Sequence, residues 1–360
     1  MHILINTGHP AQVHNFKCLK TALEARGHKI FWLASDKDIS KYLLACYGIK
    51  YALLYRPGKS YPAKLYTLFR NVFFLLGFMR KNHIDLAISR VSPYVTLAAF
   101  FLGRPHIALT DTETAGIYDT VFGRLASAVL TAKSFQRNLR KDQIRFDGNI
   151  ELFYLHPNRF QPREDVSSLL GIEKGQPYVV MRFVSWDAYH DKGLKGFTDA
   201  NKIKAVNEFS KYARVFISAE KALPLDLEPY KIQIPPEKMH DVLAHAALFF
   251  GESATMASES AVLGTPAVYL DKIGRGYTDE EEAYGLVFNY KNTLSDQEQA
   301  IQKGLNLLKT PKLKNEMHKN RQQFLEHKID VTAFMVWFVE NFPESKRKLL
   351  DDPDYQERFR

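Results

Sequence analysis

Between Gly251 and Leu270 the chain reads GESATMASESAVLGTPAVYL, small residues around one acid, Glu259, before Gly-Thr-Pro and an apolar run. The loop Glu252-Ser253-Ala254-Thr255, between the strand ALFFG and a helix expected near Met256, has the make-up of an anion site. Small residues let backbone N–H groups approach a phosphate, and a helix N-terminus adds partial positive charge. Ser253 and Thr255 add hydroxyls, and either could simply cap the helix. Capping does not account for Glu259. A capping box puts its acid three residues past the cap, whereas Glu259 lies four past Thr255 and six past Ser253. One turn inside the helix, between Ala257 and Ala261 and on the face of Thr255, its carboxylate suits a pair of ribose hydroxyls.

Further stretches carry chemistry. In MRFVSWDAYHDKGLKGF, Arg182 at a strand end, His190, Lys192 and Lys195 could all meet a diphosphate. Asp187 and Asp191 there are acids or turn-formers, in a loop longer than strand–helix connections usually are. TGHPAQVH brings Gly8, His9 and His14 to the first strand–helix junction. It lacks the G-x-G-x-x-G glycines, which removes support for a nicotinamide or flavin site. His9 and His14 could act as bases near neutral pH, and His14 could equally be a first-turn residue bonded to backbone. In ALTDTETAG, Asp111 and Glu113 alternate along an extended path and would project to one side, for acid–base work or for capping. In KIGRGYTDEEEAYGL, Thr278, Asp279 and Glu280 could hold sugar hydroxyls, or the acids could fill the first turn of a helix. The segment AKLYTLFRNVFFLLGFMRKNH has a broad apolar face bordered by Arg70, Arg80 and Lys81; it reads as a buried helix in preference to a lipid-facing one.

The elements that must position these residues alternate strand with helix. HILIN, KIFWLAS, KYALLY, LAIS and PHIALTD are separated by helical patterns, one of them placing Phe16, Leu19 and Leu23 on one face with Gly27 as its stop. The rhythm breaks at Pro157 to Glu164, the expected linker, and restarts with YVVMRFV, ARVFISA, ALFFG and PAVYL. Such alternation implies parallel sheets covered on both faces. We expect an α/β chain of two tandem Rossmann-like domains, 1–156 and 157–330, their sheets facing across a cleft, with a helix and charged tail over 331–360.

Composition narrows the class. With 360 residues, 46% hydrophobic and 25% charged, the chain can bury two cores. Its formal charge of +9 is spread along the sequence without a basic-aromatic module, so nucleic acid is not the expected partner; a phosphorylated small molecule or an anionic membrane surface suits it as well. Cys18 and Cys46 sit at no metal spacing and point to a reducing cytoplasm. The apolar start HILIN is too short for a signal peptide, and no run approaches the 18 apolar residues of a spanning helix.

Taken in order, GHPAQVHNFKCL, RFVSWDAYHDKG, HDVLAHA, ESATMASESAVLGTP and GRGYTDEEEAYGL closely resemble a prokaryotic family catalogued as domain of unknown function 354, over nearly the whole chain. That family is similar to two groups of GT-B fold, the N-acetylglucosaminyltransferase of peptidoglycan synthesis and the non-hydrolysing UDP-N-acetylglucosamine 2-epimerase. The transferase resemblance rests on Glu259 followed five residues later by Gly264-Thr265-Pro266. It implies Glu259 on the ribose, Ser253, Ala254 and Thr255 on phosphate, and Met239 and His240 beside the base. It puts the donor-sugar loop on Thr278 to Glu281, with Asp279-Glu280 where the family has Asp-Gln. His9-Pro10 replaces a glycine-rich first loop, so acceptor contacts do not carry over in detail. The epimerase motif matches Asp111 to Gly116 with an inserted Thr, but its catalytic acid would fall near Arg90-Val91-Ser92 and its His-Arg is Arg182-Phe183 here. The resemblance implies a GT-B, metal-independent, inverting transferase of surface-glycan synthesis. It would use a nucleotide sugar and a glycan or lipid-linked acceptor, with no separate cofactor, in the cytoplasm or peripheral to the inner face of the membrane. His14 is the first candidate base, with Asp111 or Glu113 behind it. An epimerase, a hydrolase or a non-catalytic nucleotide-sugar-binding protein are the alternatives.

Overall fold

A computed structural model describes residues 1–360 apart from 57, 59, 114, 115, 185–195, 220 and 221. The chain divides into two units, Met1–Arg159 with Ile329–Arg360, and Phe160–Lys328. In the first unit the strands are β1 (His2–Thr7), β2 (Lys29–Ser35), β3 (Tyr51–Leu54), β4 (Leu86–Arg90), β5 (His106–Leu109), β6 (Ala128–Ala132) and β7 (Ile144–Phe146). They form one parallel sheet in the order β3-β2-β1-β4-β5-β6-β7. The second unit contains β8 (Tyr178–Phe183), β9 (Arg214–Ala219), β10 (Leu248–Gly251), β11 (Ala267–Leu270) and β12 (Val287–Tyr290), parallel in the order β12-β11-β10-β8-β9. Both are doubly wound, as the alternating elements require.

Strands β6, β7 and β12 escape the sequence reading. Ala128–Ala132 is buried at every position, so it shows no alternation, and β7 and β12 are only three and four residues long. The first helix starts at Pro10 rather than in the following apolar pattern, because His9 caps it and proline tolerates the first helical position. Its buried residues Phe16, Leu19 and Leu23 lie along one stripe, as their spacing predicts. The last segment rejoins the first unit: Ile329 N–H donates to the Asp147 carbonyl (3.0 Å), and helix Val331–Glu340 packs against helix Pro10–Glu24. Asp330 caps that helix through the Ala333 N–H (2.9 Å) and pairs with Arg159 (2.7 Å), so the two points where the chain leaves and re-enters the unit are tied together.

Helix Tyr61–Lys81 corrects one expectation. Val72, Leu75 and Met79 are buried, Leu75 and Met79 in one core with strand residues and with Val95 and Ala98 of helix Pro93–Phe101, but another face shows Tyr66, Phe69 and Phe73 to solvent. Phe73 is 71% exposed and Phe69 55%. The helix is apolar on both sides and buried on one.

Beneath that helix layer, β5 carries a fully buried imidazole. His106 lies between the hydroxyls of Ser89 (2.9 Å to Nε2) and Thr96 (3.2 Å to Nδ1), and burial pushes its pKa down to about 3. The folded state therefore keeps it neutral where the unfolded chain, near 6.5, binds a proton. Its stabilising contribution is complete above about pH 6.5 and falls by about 1.4 kcal/mol per pH unit as the pH drops toward 3. Thermal midpoints measured from pH 7 to 4 should decline, and His106→Gln should flatten that decline. An unchanged slope would show that His106 is not the titrating group.

Candidate functional site

In the second sheet the chain order reverses between β8 and β10, and open α/β sheets bind ligands outside the carboxyl ends of strands at such a point. There Arg182 of β8 lies opposite Gly251 of β10. A Cβ on Gly251 would sit 2.2 Å from the Arg182 carbonyl oxygen, so only glycine fits. Side chains alternate along β8: Val179, Met181 and Phe183 enter the core with Leu248 and Phe250, which turns Arg182 to the opposite face. Its Nη1 donates to Ser218 Oγ (2.7 Å) on β9, which fixes the guanidinium at the strand ends.

The helix after β10 spans Ala254–Leu263, two residues earlier than expected, and Ser253 rather than Thr255 caps it, accepting from Met256 N–H (3.3 Å). Ala254 and Thr255 thus form its first turn, whose N–H groups lack intrahelical partners. Gly264, at φ +89°, ends the helix in the left-handed conformation. Glu259 is inside the helix, 5% exposed, and its Oε1 lies 2.9 Å from His240 Nε2. His240, 3% exposed, is the second residue of helix Met239–His245, with the edge of Phe160 against its ring; Met239 beside it is half-buried. The two residues assigned to ribose and to base are therefore one hydrogen-bonded pair. Nineteen residues separate them, so no local pattern could have revealed it.

Helix Gly276–Ala283 follows β11 and holds the third group of expected residues. Thr278 is fully buried, its hydroxyl donating to the Arg275 carbonyl (2.9 Å). Glu280 pairs with Lys328 (2.6 Å), and Asp279 is an acid of the first turn. The helical reading holds for this stretch, and Glu281, buried, accepts from Ser258 of helix Ala254–Leu263. Sequence reasoning passed over Asp271, at the end of β11, which takes Tyr269 OH (2.8 Å) and pairs with Arg275 (3.2 Å). It also left Glu252 among the loop residues without a role. That carboxylate accepts from Val184 N–H (3.3 Å) and Phe197 N–H (2.6 Å).

In the first unit the reversal falls between β1 and β4. Gly8 N–H donates to Gln12 Oε1 (2.7 Å), and His9 accepts from Ala11 N–H (3.3 Å) as the cap. His14 is buried one turn on, its Nδ1 3.1 Å from Tyr47 OH and its ring beside Tyr154. Asp111 forms an ion pair with Arg90, at the end of β4, and accepts from Thr112 (2.9 Å). The chain turns at Glu113 instead of continuing extended, and Arg137 donates to the Glu113 carbonyl (3.0 Å); the two carboxylates do not share one strand face. Asp119 was missed: buried, it takes the Thr110 hydroxyl (2.7 Å), and burial raises its pKa. His190 and Lys195, with Asp187, Asp191 and Lys192, lie outside the described residues.

These two parallel, doubly wound units define a GT-B-type α/β fold, shared with solved structures at low identity. The UDP-GlcNAc 2-epimerase of Neisseria meningitidis bound to UDP-GlcNAc superposes with a TM-score of 0.66 at 12% identity, over 95% of this chain and all (100%) of the other. Acinetobacter baumannii MurG gives 0.58 at 16%, over 95% and 99%. The chain belongs to the family described as protein of unknown function (DUF354), whose model matches residues 1–274. In sequence it is 30% identical over 167 residues, 42% of this chain and 46% of the other, to a Neisseria meningitidis serogroup C (strain 053442) protein. That protein is UDP-N-acetylglucosamine--N-acetylmuramyl-(pentapeptide) pyrophosphoryl-undecaprenol N-acetylglucosamine transferase. The chain spans about half the length of this curated relative.

Glu259→Ala removes the carboxylate that faces the buried His240 imidazole. Glu259→Ala should cost about 1–3 kcal/mol of stability in urea unfolding, and Glu259→Gln, which keeps an acceptor for His240, less. Wild-type stability in Glu259→Ala would mean that the pair is not held as described.

Proposed function

We propose that this chain is a nucleotide-sugar-dependent glycosyltransferase of surface-glycan assembly, inverting and metal-independent. The observation that carries the reading is the switch point of the second sheet: a glycine-tight strand end, a capped helix N-terminus at Ser253–Thr255 and the buried Glu259–His240 pair one turn behind. The partial match to an N-acetylglucosaminyltransferase and the GT-B-type fold support it. In this reading the donor's diphosphate meets the first-turn N–H groups and Arg182, and the ribose and base lie toward Glu259, His240 and Met239. The acceptor hydroxyl gives its proton to a base as its oxygen forms a bond to the anomeric carbon. The anomeric carbon–diphosphate oxygen bond breaks on the opposite face, and its electron pair leaves with the nucleoside diphosphate. Helix dipole and guanidinium would stabilise that leaving charge. His14 is the proposed base, its ring oriented by Tyr47 as a base in an activated pair is by its third member; Asp111, held by Arg90, or Glu113 stands behind it.

Thermal shift and calorimetry against UDP-, GDP-, CDP- and dTDP-sugars test the donor site. A ligand at 100 times its Kd should stabilise the chain by about 2.7 kcal/mol. No response to any of them, or to the free diphosphates, would sink the proposal. Donor consumed without acceptor would instead favour the epimerase or hydrolase reading.

The acceptor side of the proposal includes a membrane. Among the described residues no helix is long and apolar enough to cross one. The solvent face of helix Tyr61–Lys81 nevertheless carries Tyr66, Phe69 and Phe73 with Arg70 and Arg80, aromatic anchors beside cations, as an anionic lipid surface requires. The chain should cosediment with vesicles containing anionic lipid and far less with zwitterionic ones. Phe69→Ser with Phe73→Ser should abolish most of that binding; unchanged cosedimentation would remove the membrane from the proposal.

A further inference from the structure

Glu252 sits at the mouth of the proposed phosphate site, one residue before the helix cap, where a carboxylate would repel the ligand. It is 5% exposed. Its oxygens accept from the N–H groups of Val184 (3.3 Å) and Phe197 (2.6 Å) and from Asn292 Nδ2 (3.5 Å), while its own N–H donates to the Arg182 carbonyl (3.0 Å). Asn292 in turn accepts from Gln297 Nε2 (2.8 Å). Gln297 is buried and takes Asn201 Nδ2 (2.8 Å) and Thr198 N–H (3.2 Å), at the start of helix Asp199–Phe209. Charge and geometry agree. The negative charge is turned back onto N–H donors, and the acid ties three places to one point: Val184 just past β8, Phe197 just ahead of the next helix, and the end of β10.

We propose that Glu252 is a positioning residue of the nucleotide site, holding Val184 and Phe197 in fixed relation to Arg182 and the N-terminus of helix Ala254–Leu263. The proposal rests on the donor-site reading above. A carboxylate is needed because two backbone N–H groups converge on it; an amide offers one acceptor and turns an N–H₂ toward the second donor. Neither oxygen need touch the ligand.

Glu252→Gln tests it on the full chain, by calorimetry with UDP, GDP, CDP and dTDP and by amide hydrogen exchange. For whichever diphosphate the wild type binds, affinity should fall at least about tenfold, with exchange at Val184 and Phe197 faster by a similar factor. Wild-type affinity with faster exchange would make Glu252 a purely structural latch and overturn the proposal, as would no change in either. A wild-type chain that binds none of the four overturns the donor-site reading, and this role falls with it. Should Glu252→Gln not fold, Asn292→Ala removes the side-chain donor from the same carboxylate. It should weaken diphosphate binding about threefold, and unchanged affinity would again overturn the proposal.

Discussion

The close approach of β10 to β8 at Gly251 governs the second unit. With a Cβ position 2.2 Å from the Arg182 carbonyl, the strands can meet there only through glycine. That contact sets where β10 ends, and hence where Glu252 turns, where Ser253 caps and which way helix Ala254–Leu263 sets out. The Glu252 N–H bond to the Arg182 carbonyl continues the ladder one step past the strand, so the helix N-terminus starts from a rigid point. A site for a multiply charged ligand benefits from such rigidity, because donors already in place need no reorganisation when charge arrives.

Around this point the acids are buried and engaged. Glu259 faces His240, Glu252 faces backbone N–H groups, Asp271 faces Tyr269 and Arg275, and Glu281 faces Ser258. A carboxylate removed from water needs such partners, since its desolvation would otherwise cost several kcal/mol. The same arrangement keeps negative charge directed away from a region whose helix end favours anions. The first unit handles its acids similarly, with Asp111 on Arg90 and Asp119 on Thr110. It differs in its surface, where one helix buries Val72, Leu75 and Met79 and shows aromatic rings on its other side.

Much of this was legible from residue order. Strand–helix alternation pointed to two parallel sheets, and the small residues from Gly251 to Thr255 marked the strand–helix junction that lies at the switch point. Residue order admits either Ser253 or Thr255 as the cap, because the two are chemically equivalent candidates, and only backbone dihedrals separate them. Thr278 looked available for a ligand because its neighbours are polar, yet helix packing encloses it. The helix at Tyr61–Lys81 was read as buried because hydrophobicity on both faces has the same appearance in sequence whether or not a second layer covers it.

Sequence by itself determined what depends on neighbours along the chain: the period of the longer elements, the turns, and the residue types able to hold phosphate or sugar. Those properties come from dihedral preferences and side-chain spacing over a few residues, which tertiary packing seldom reverses. Only the tertiary structure decided the partners. His240 with Glu259, Glu252 with Val184 and Phe197, and Arg90 with Asp111 join residues 19 to 68 positions apart. Whether an acid is a ligand, a latch or half of a buried pair depends on what the fold brings within about 3 Å of it. In GESATMASESAVLGTPAVYL the order of residues set the chemistry of Glu252 and Glu259, and the packing of β8, β10 and helix Met239–His245 set their partners.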